Sequence, residues 1–476
     1  MTPIFQIHQS VISKGRKLLR SLKTLSQYPQ RPPGKQTYSI KHFYSSWKHP
    51  VITEQNSHTK LLNLLRKNII DFIINKFYLN KSMGKSMIVI ILLLLLILSC
   101  SPGTNQPENT SRITVISRAE KIEQLVGDFD REKQDSTANK TKNRYGLVST
   151  DLGIPFQHNE KTYLLFGDSF GGAVPDDDAI AFTTDTNPEN GLNLTFIHDL
   201  NGHFRAISIP GIDQGAYEVP VEGVSLNGKM YIFHTTDWND ITKTMGRTVL
   251  ARSENNGFSF QYLCDVSVNH FINISLIKID FAQWQGFPVN SGQGLVLFGT
   301  GKYRNSRVYL ACQKSDEIEN PSSIRYFTGT NKSNIPQWSF NESDAAPLFE
   351  QSGTGELSVI YYPVFGKWIM LYNNMNPRGI NMRTADYPWG PWSEVQIVFD
   401  PWNDNGYGHF MHVSWEYARE DSVHDPGREN VWGGEYGPYQ LGNLAVDTEN
   451  RLTLYFTMST WNPYTVVLMK AVLGKE

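Results

Sequence analysis

One phrase returns five times after residue 145: a polar residue enters a short strand, a turn follows, and an aromatic-rich strand comes next. The five copies are "VSTDLGIPFQHNEKTYLLFGDSF", "VPVEGVSLNGKMYIFHTTDW", "FINISLIKID…GQGLVLFGTGKY", "GELSVIYYPVFGKWIMLYNNM" and "GEYGPYQLGNLAVDTENRLTLYFTMSTW". Each carries a turn signal (Asn159-Glu160, Asn227-Gly228, Gly292-Gln293-Gly294, Phe365-Gly366, Glu449-Asn450) just before its second strand. In several copies a further strand follows, as in "RTVLARS", "SRVYLACQK", "GINMRTA" and "TVVLMKAV". Repeated antiparallel units with no helices between them predict an all-β chain, a five-bladed β-propeller, with the surplus length of each unit in polar loops. A two-sheet sandwich is the alternative, but it gives no reason for five returns. The run "SENNGFSF" (253–260) approximates an Asp-box turn with Asn255 in place of Asp, which supports the fold only. Ahead of the repeats, "SRAEKIEQLVGDFDREKQ" reads as a short helix and linker, completing a tether over residues 101–144.

The segment at 83–100, "MGKSMIVIILLLLLILSC", is organised differently. A lysine precedes an apolar core of about a dozen residues, a signal-peptide layout short for a membrane span. Its end, "ILSC", resembles the lipobox of bacterial lipoproteins, so Cys100 is the expected lipidation site; a plain transmembrane anchor is the alternative. The expected location is the cell envelope, lipid-anchored at the outer membrane or cell surface, followed by the polar tether "SPGTNQPENTS". Residues 1–82 hold 14 Lys/Arg against two acids, and read as an upstream extension absent from the mature protein, or else a long cytoplasmic one. From residue 83 onward 44 acidic residues face 30 basic ones, which argues against a nucleic-acid partner. Cys264 and Cys312 lie in strand-like runs and read as buried apolar residues, with a mutual disulfide as the alternative.

Polar residues entering the first strand of each blade converge on one funnel. Those positions read Asp151, Glu222, Asn273, Glu356 and Glu435, so four of the five copies deliver a carboxylate in phase with the repeat. Asp168, ending the second strand of the first copy, is a further candidate, or a turn residue beside Gly167. Carboxylates facing one another push their pKa values apart, and glycoside hydrolysis needs that pairing of an acid with a base or nucleophile. The catalytic candidates are therefore Asp151, Asp168, Glu222, Glu356 and Glu435. Aromatics make up 12% of the chain, enough to serve both blade cores and sugar-stacking surfaces. Among them Tyr436, Trp461, Tyr464 and Trp238 are candidate substrate contacts, with His234 and His412 as hydroxyl partners or structural histidines. No cofactor is expected; funnel carboxylates are also a donor set for a structural Ca²⁺ ion, and no His-x-x-x-His pair marks a transition metal.

The phrases "TDLGIPF…YLLFGDSF", "GELSVIYYP" and "GGEYGPY…LYFTMSTWNPYTVVLMK" resemble a bacterial secreted family, formerly a domain of unknown function. Its members are counted as five-bladed propeller glycoside hydrolases with endo-D-arabinanase activity on the arabinan of mycobacterial arabinogalactan and lipoarabinomannan. The resemblance runs from residue 145 to the C-terminus. It implies Asp151 as the leading catalytic acid residue, Asp168, Glu356 and Glu435 as pocket residues, and a polysaccharide as partner; the protein is expected to be a monomer. A non-catalytic glycan-binding surface lipoprotein is the alternative, which would not need opposed acids. A sialidase-like enzyme would need funnel arginines, whereas Arg247, Arg252 and Arg383 fall in outer-strand runs.

Overall fold

Strands such as Lys229–Thr236 and Lys367–Met375 are buried along nearly their whole length. A strand whose two faces are both covered has no polar side to alternate with, so the sequence reads as a continuous apolar and aromatic run. The computed structural model, which describes residues 112–476 apart from 173–175, 302, 418 and 449, stacks such strands face to face in five twisted antiparallel sheets. The basic extension, the apolar segment ending at Cys100 and the polar tether up to residue 111 lie outside the described residues.

Blade one comprises Ser149–His158, Lys161–Phe170, Asp177–Thr183 and Thr195–Phe196, running from the centre outward. Blade two comprises Pro220–Leu226, Lys229–Thr236, Arg247–Ser253 and Gln261–Ser267. Blade three runs through Asn273–Asp280, Gln293–Thr300, Val308–Lys314, Arg325–Thr330 and Pro336–Ser339. Blade four holds Leu357–Tyr362, Lys367–Met375, Arg378–Ala385 and Gln396–Phe399. Blade five begins with Glu435–Gln440, Arg451–Trp461 and Tyr464–Lys475.

The outermost strand of blade five comes from the other end of the domain. Ile113–Gln124 pairs antiparallel with Tyr464–Lys475, from Ile113 opposite Lys475 to Gln124 opposite Val467, and Arg112 and Glu476 exchange backbone hydrogen bonds. The helix expected in this stretch is therefore a strand; the one α-helix among the described residues is Thr141–Tyr145. Three register shifts interrupt the strand's alternation, so its charged residues fall at spacings that imitate a helical face. Pairing with the last strand outweighs that local signal.

The hydrophobic core is a set of interfaces between consecutive blades. Blades one, two and three meet through residues such as Leu165, Ile232, Leu250 and Leu297. Blades three and four meet at Phe298, Trp368 and Tyr372, four and five at Ile369, Phe399 and Phe456, and five and one at Phe166, Tyr455 and Leu468. Each fully buried side chain of this size contributes roughly 1.5–3 kcal/mol. The turns match the sequence signals: Asn159-Glu160 and Asn227-Gly228 all have positive φ, the conformation of tight hairpins that follow strand twist.

The innermost strands form a ring around the channel and would leave their free edges unpaired there. Side chains of the preceding blade cover several of those N–H groups: Ser459 Oγ accepts from Leu152, Ser275 Oγ from Val359, and Ser358 Oγ from Gln440. Cys264 and Cys312 are both free thiols, half-buried and buried respectively, so the disulfide alternative is not formed.

Candidate functional site

At one mouth of the channel, where innermost strands begin and second strands end, a cavity of about 370 Å³ opens. Asp151, Asp168, Glu356, Glu435, Tyr436 and Trp461 all line it. The sequence placed four of these acids in phase or one hairpin apart, and the fold brings them together from three blades.

Asp151 is the third residue of its strand and is cross-strand partner of Gly167, which puts Asp168 one residue beyond. Bulges on both sides of Asp151 turn the strand, with Leu152 held at φ 67°. Backbone of this kind costs energy, and it recurs around the cavity at Asp168 (φ 41°), Tyr217 (φ 69°) and Arg304 (φ 46°). Gly167 permits close packing here, because a β-carbon on it would stand 2.6 Å from Val219 Cγ1.

The Tyr436 hydroxyl donates to Asp151 Oδ2 at 2.9 Å. Among the described residues Asp151 Oδ1 and the Tyr464 hydroxyl are both buried without a hydrogen-bond partner, and Tyr464 is near enough to favour the Asp151 anion. Burial pushes the Asp151 carboxyl up to about 7; the charge of Glu356 adds to this, while Tyr436, Tyr464 and Arg304 oppose it. Asp168 accepts the Tyr217 N–H at 3.0 Å on Oδ1 and 3.3 Å on Oδ2. Burial, reinforced by the negative charges of Asp151 and Asp178, raises Asp168 to about 9. Of the two, Asp168 holds its proton the more strongly.

Behind them Asp178 accepts the Asp168 N–H at 3.3 Å on Oδ1 and faces His234 Nε2 at 2.7 Å through Oδ2. His234 Nδ1 lies 2.7 Å from the Thr235 carbonyl, which can only accept, so that nitrogen carries a hydrogen. Burial raises Asp178 to about 6 despite the histidine.

The other two acids are committed to cations. Arg304 reaches Glu356 through Nη2 at 3.0 Å and Nε at 3.3 Å, with its guanidinium stacked over Tyr303 and Tyr436. Arg378 takes Glu435 through Nε and Nη2, both at 3.2 Å, and also donates to the Tyr407 hydroxyl, which donates to the Gly433 carbonyl at 2.8 Å. Burial raises the Glu435 carboxyl even so, with Arg378 opposing. Glu356 and Glu435 fix the two arginines at the cavity, whereas Asp151 and Asp168 have no cation bonded to them among the described residues.

Five candidates fall outside this cavity. A bulge between Pro220 and Glu222 sets Glu222 deeper in the channel. There its oxygens accept Gly223 N–H at 2.8 Å and Leu276 N–H at 2.7 Å, covering a free edge like the serines of the other blades. It borders a separate cavity of about 270 Å³, and burial raises it to about 8. His234 is fully buried behind Asp178. His412 is buried between Asp421 Oδ1, at 2.5 Å, and the Glu429 carbonyl, at 2.7 Å. Trp238 stacks on the cavity residue Tyr217 with ring centroids 4.3 Å apart and supports the wall from behind. Tyr464 borders an adjoining cavity.

Arg304 and Arg378 were not singled out from the sequence. The signal was available: "LFGTGKYR" carries the chain out of the second strand of blade three to Arg304, and "LYNNMNPR" carries it from the second strand of blade four to Arg378, the first residue of the third. Among the described residues, no group of three or more His, Cys, Asp or Glu side chains is arranged to hold a metal ion.

Comparison with curated protein sequences returned no match. Among solved structures, the chain is similar to an exo-β-1,3-galactanase from Phanerochaete chrysosporium: 9% identity, TM-score 0.42, covering 74% of this chain and 64% of that one. It is also similar to CoXyl43, a β-xylosidase/α-arabinofuranosidase from a compost metagenome, with 12% identity, TM-score 0.38, and 75% and 95% coverage. The Bacillus subtilis arabinanase Arb43A gives 12% identity and TM-score 0.34, over 68% of this chain and 96% of that one. Residues 136–470 match the pattern of one sequence family throughout, and the chain belongs to that family, described as Domain of unknown function (DUF4185).

Proposed function

We propose that this protein is a glycoside hydrolase that cuts a furanose polysaccharide, D-arabinan, within the chain. The observation that carries the reading is the pair Asp151 and Asp168: neighbours across one hairpin, in one cavity, both raised by burial, with the charge of Asp151 making Asp168 the stronger holder of a proton. The furanose substrate is the expectation drawn from "TDLGIPF", "GEYGPY" and "MSTWNPY".

In the proposed reaction Asp168 donates its proton to the bridging oxygen as the bond from that oxygen to the anomeric carbon breaks, and the electron pair leaves with the oxygen. Asp151 acts at the anomeric carbon, directly or through a water molecule. The water's oxygen ends on that carbon, and its released proton restores Asp168 or is taken by Asp151. One water is consumed and two hydroxyl ends are formed. Arg304 and Arg378 offer hydrogen bonds to sugar hydroxyls from positions fixed by Glu356 and Glu435. Cys100 is the proposed lipid anchor holding the enzyme at the cell envelope; Cys100→Ala would release it from the membrane fraction, and recovery of that variant with the membranes would contradict the anchor.

The test is a panel of arabinans and unrelated glycans incubated with the purified protein. Oligosaccharides released from D-arabinan support the reading, and an unchanged polymer across the panel overturns it.

A further inference from the structure

A second cavity, of about 430 Å³, adjoins the first, and the two share the residues that line their border: Asp168, Tyr217 and Trp461. Asp151 lines only the first cavity. On the far side stand Phe170, 38% exposed, and Arg428. The Arg428 guanidinium lies 4.7 Å from the Trp461 ring centroid. It is held by Asp425 Oδ2 at 3.3 Å; among the described residues the rest of its fork is unengaged. Asp425 is itself fixed, its Oδ1 accepting from Arg131 at 2.9 Å and its Oδ2 from the Tyr464 N–H at 2.7 Å.

Resting on the proposed hydrolase reading, we infer that this second cavity is the subsite for the departing portion of the polysaccharide. The assignment follows from which acid touches which side. The group acting at the anomeric carbon must stand beside the sugar that keeps that carbon, and Asp151 faces the first cavity alone. The group that protonates the bridging oxygen must stand where the retained and departing sugars meet, and Asp168 borders both cavities. The departing sugars then extend past Trp461. Phe170 and Trp461 offer apolar ring faces for a sugar's C–H surface, and the Arg428 fork donates to its hydroxyls. A site open on both sides of the cut accepts an internal stretch of polymer. A site closed behind Asp168 would accept a chain end only.

The experiment compares two substrates with the same retained portion: a linear D-arabinan, and the fluoride of a D-arabino-oligosaccharide, whose leaving group is too small to occupy the second cavity. In the Phe170→Ala/Arg428→Ala variant the ratio of kcat/KM on polymer to kcat/KM on fluoride should fall by about tenfold or more, the scale of losing a stacking contact and its hydrogen bonds. If the double variant does not fold, Phe170→Ala alone is expected to move the ratio in the same direction. An unchanged ratio in a folded variant, with wild-type protein active on both, overturns the subsite while leaving the hydrolase reading intact. Wild-type protein that cleaves the fluoride but not the polymer also overturns the subsite. Wild-type protein inert on both removes the hydrolase reading and the subsite with it.

Discussion

Among the described residues Asp151 Oδ1 is a buried acceptor with no donor in hydrogen-bond geometry, beside a Tyr464 hydroxyl in the same condition. Buried polar atoms are almost always satisfied, and leaving one unpaired costs on the order of 1–3 kcal/mol. A group that must bond substrate or water is the ordinary reason to tolerate that cost. The two acids also fix a pH dependence. Asp151 must be ionised, so activity should rise through pH about 7, and Asp168 must be protonated, so activity should fall through pH about 9. A kcat/KM profile on arabinan should therefore be a bell between those limits; a maximum near pH 5 would contradict the assignment. The same shifts have a stability consequence. Folded Asp151 binds its proton more tightly than the unfolded chain, whose aspartates titrate near 4, so its burial is harmless below pH about 4 and destabilises the fold progressively as pH climbs towards 7. Asp151→Asn should then melt no lower than wild type at pH 8, as measured by circular dichroism.

At the scale of strands, the free inner edge of each blade explains the acid that the repeat misplaces. Glu222 joins two backbone N–H groups across blades two and three, so Glu222→Ala should lower stability by roughly 2–4 kcal/mol, two unsatisfied donors' worth, while turnover on arabinan stays near that of wild type. A loss of turnover without loss of stability would return Glu222 to the catalytic set. The repeat phase brought Asp151, Glu356 and Glu435 to one cavity because strand entry fixes which mouth a residue faces. It failed for Glu222 because one bulge, invisible in residue types, shifts the side chain deeper. The arginines lie in, or at the end of, the connections between second and third strands, which reach the same mouth as the first-strand entries by the geometry of any hairpin, but the repeated phrase marks no position there. His234 and His412 show the opposite limit: a histidine's residue type says nothing of burial, and both spend their nitrogens on internal partners.

The whole molecule depends on a contact between residues more than three hundred apart in sequence. Ile113–Gln124 closes the last blade, and without it Tyr464–Lys475 presents a long apolar edge. Deleting residues 1–124 should lower the melting temperature by on the order of 10 °C, equivalent to a few kcal/mol in a domain of this size, or render the protein aggregation-prone. A truncated protein that melts like the full chain would show that closure is dispensable. The five blades were legible because each must bury its strands against two neighbours and so repeats one pattern. The closing strand was not, because at the outer edge the neighbour is on one side only and the pattern dissolves into charge. The ring in turn brings Asp151 and Asp168 of blade one beside Glu356 and Glu435 of blades four and five. The most direct measurement of that arrangement is the release of reducing ends from D-arabinan by wild-type protein and by Asp151→Asn, at matched folded concentration. The wild type should release them, and the variant should be slower by at least about a hundredfold with its melting curve intact; a variant that cleaves at near the wild-type rate would contradict the central claim.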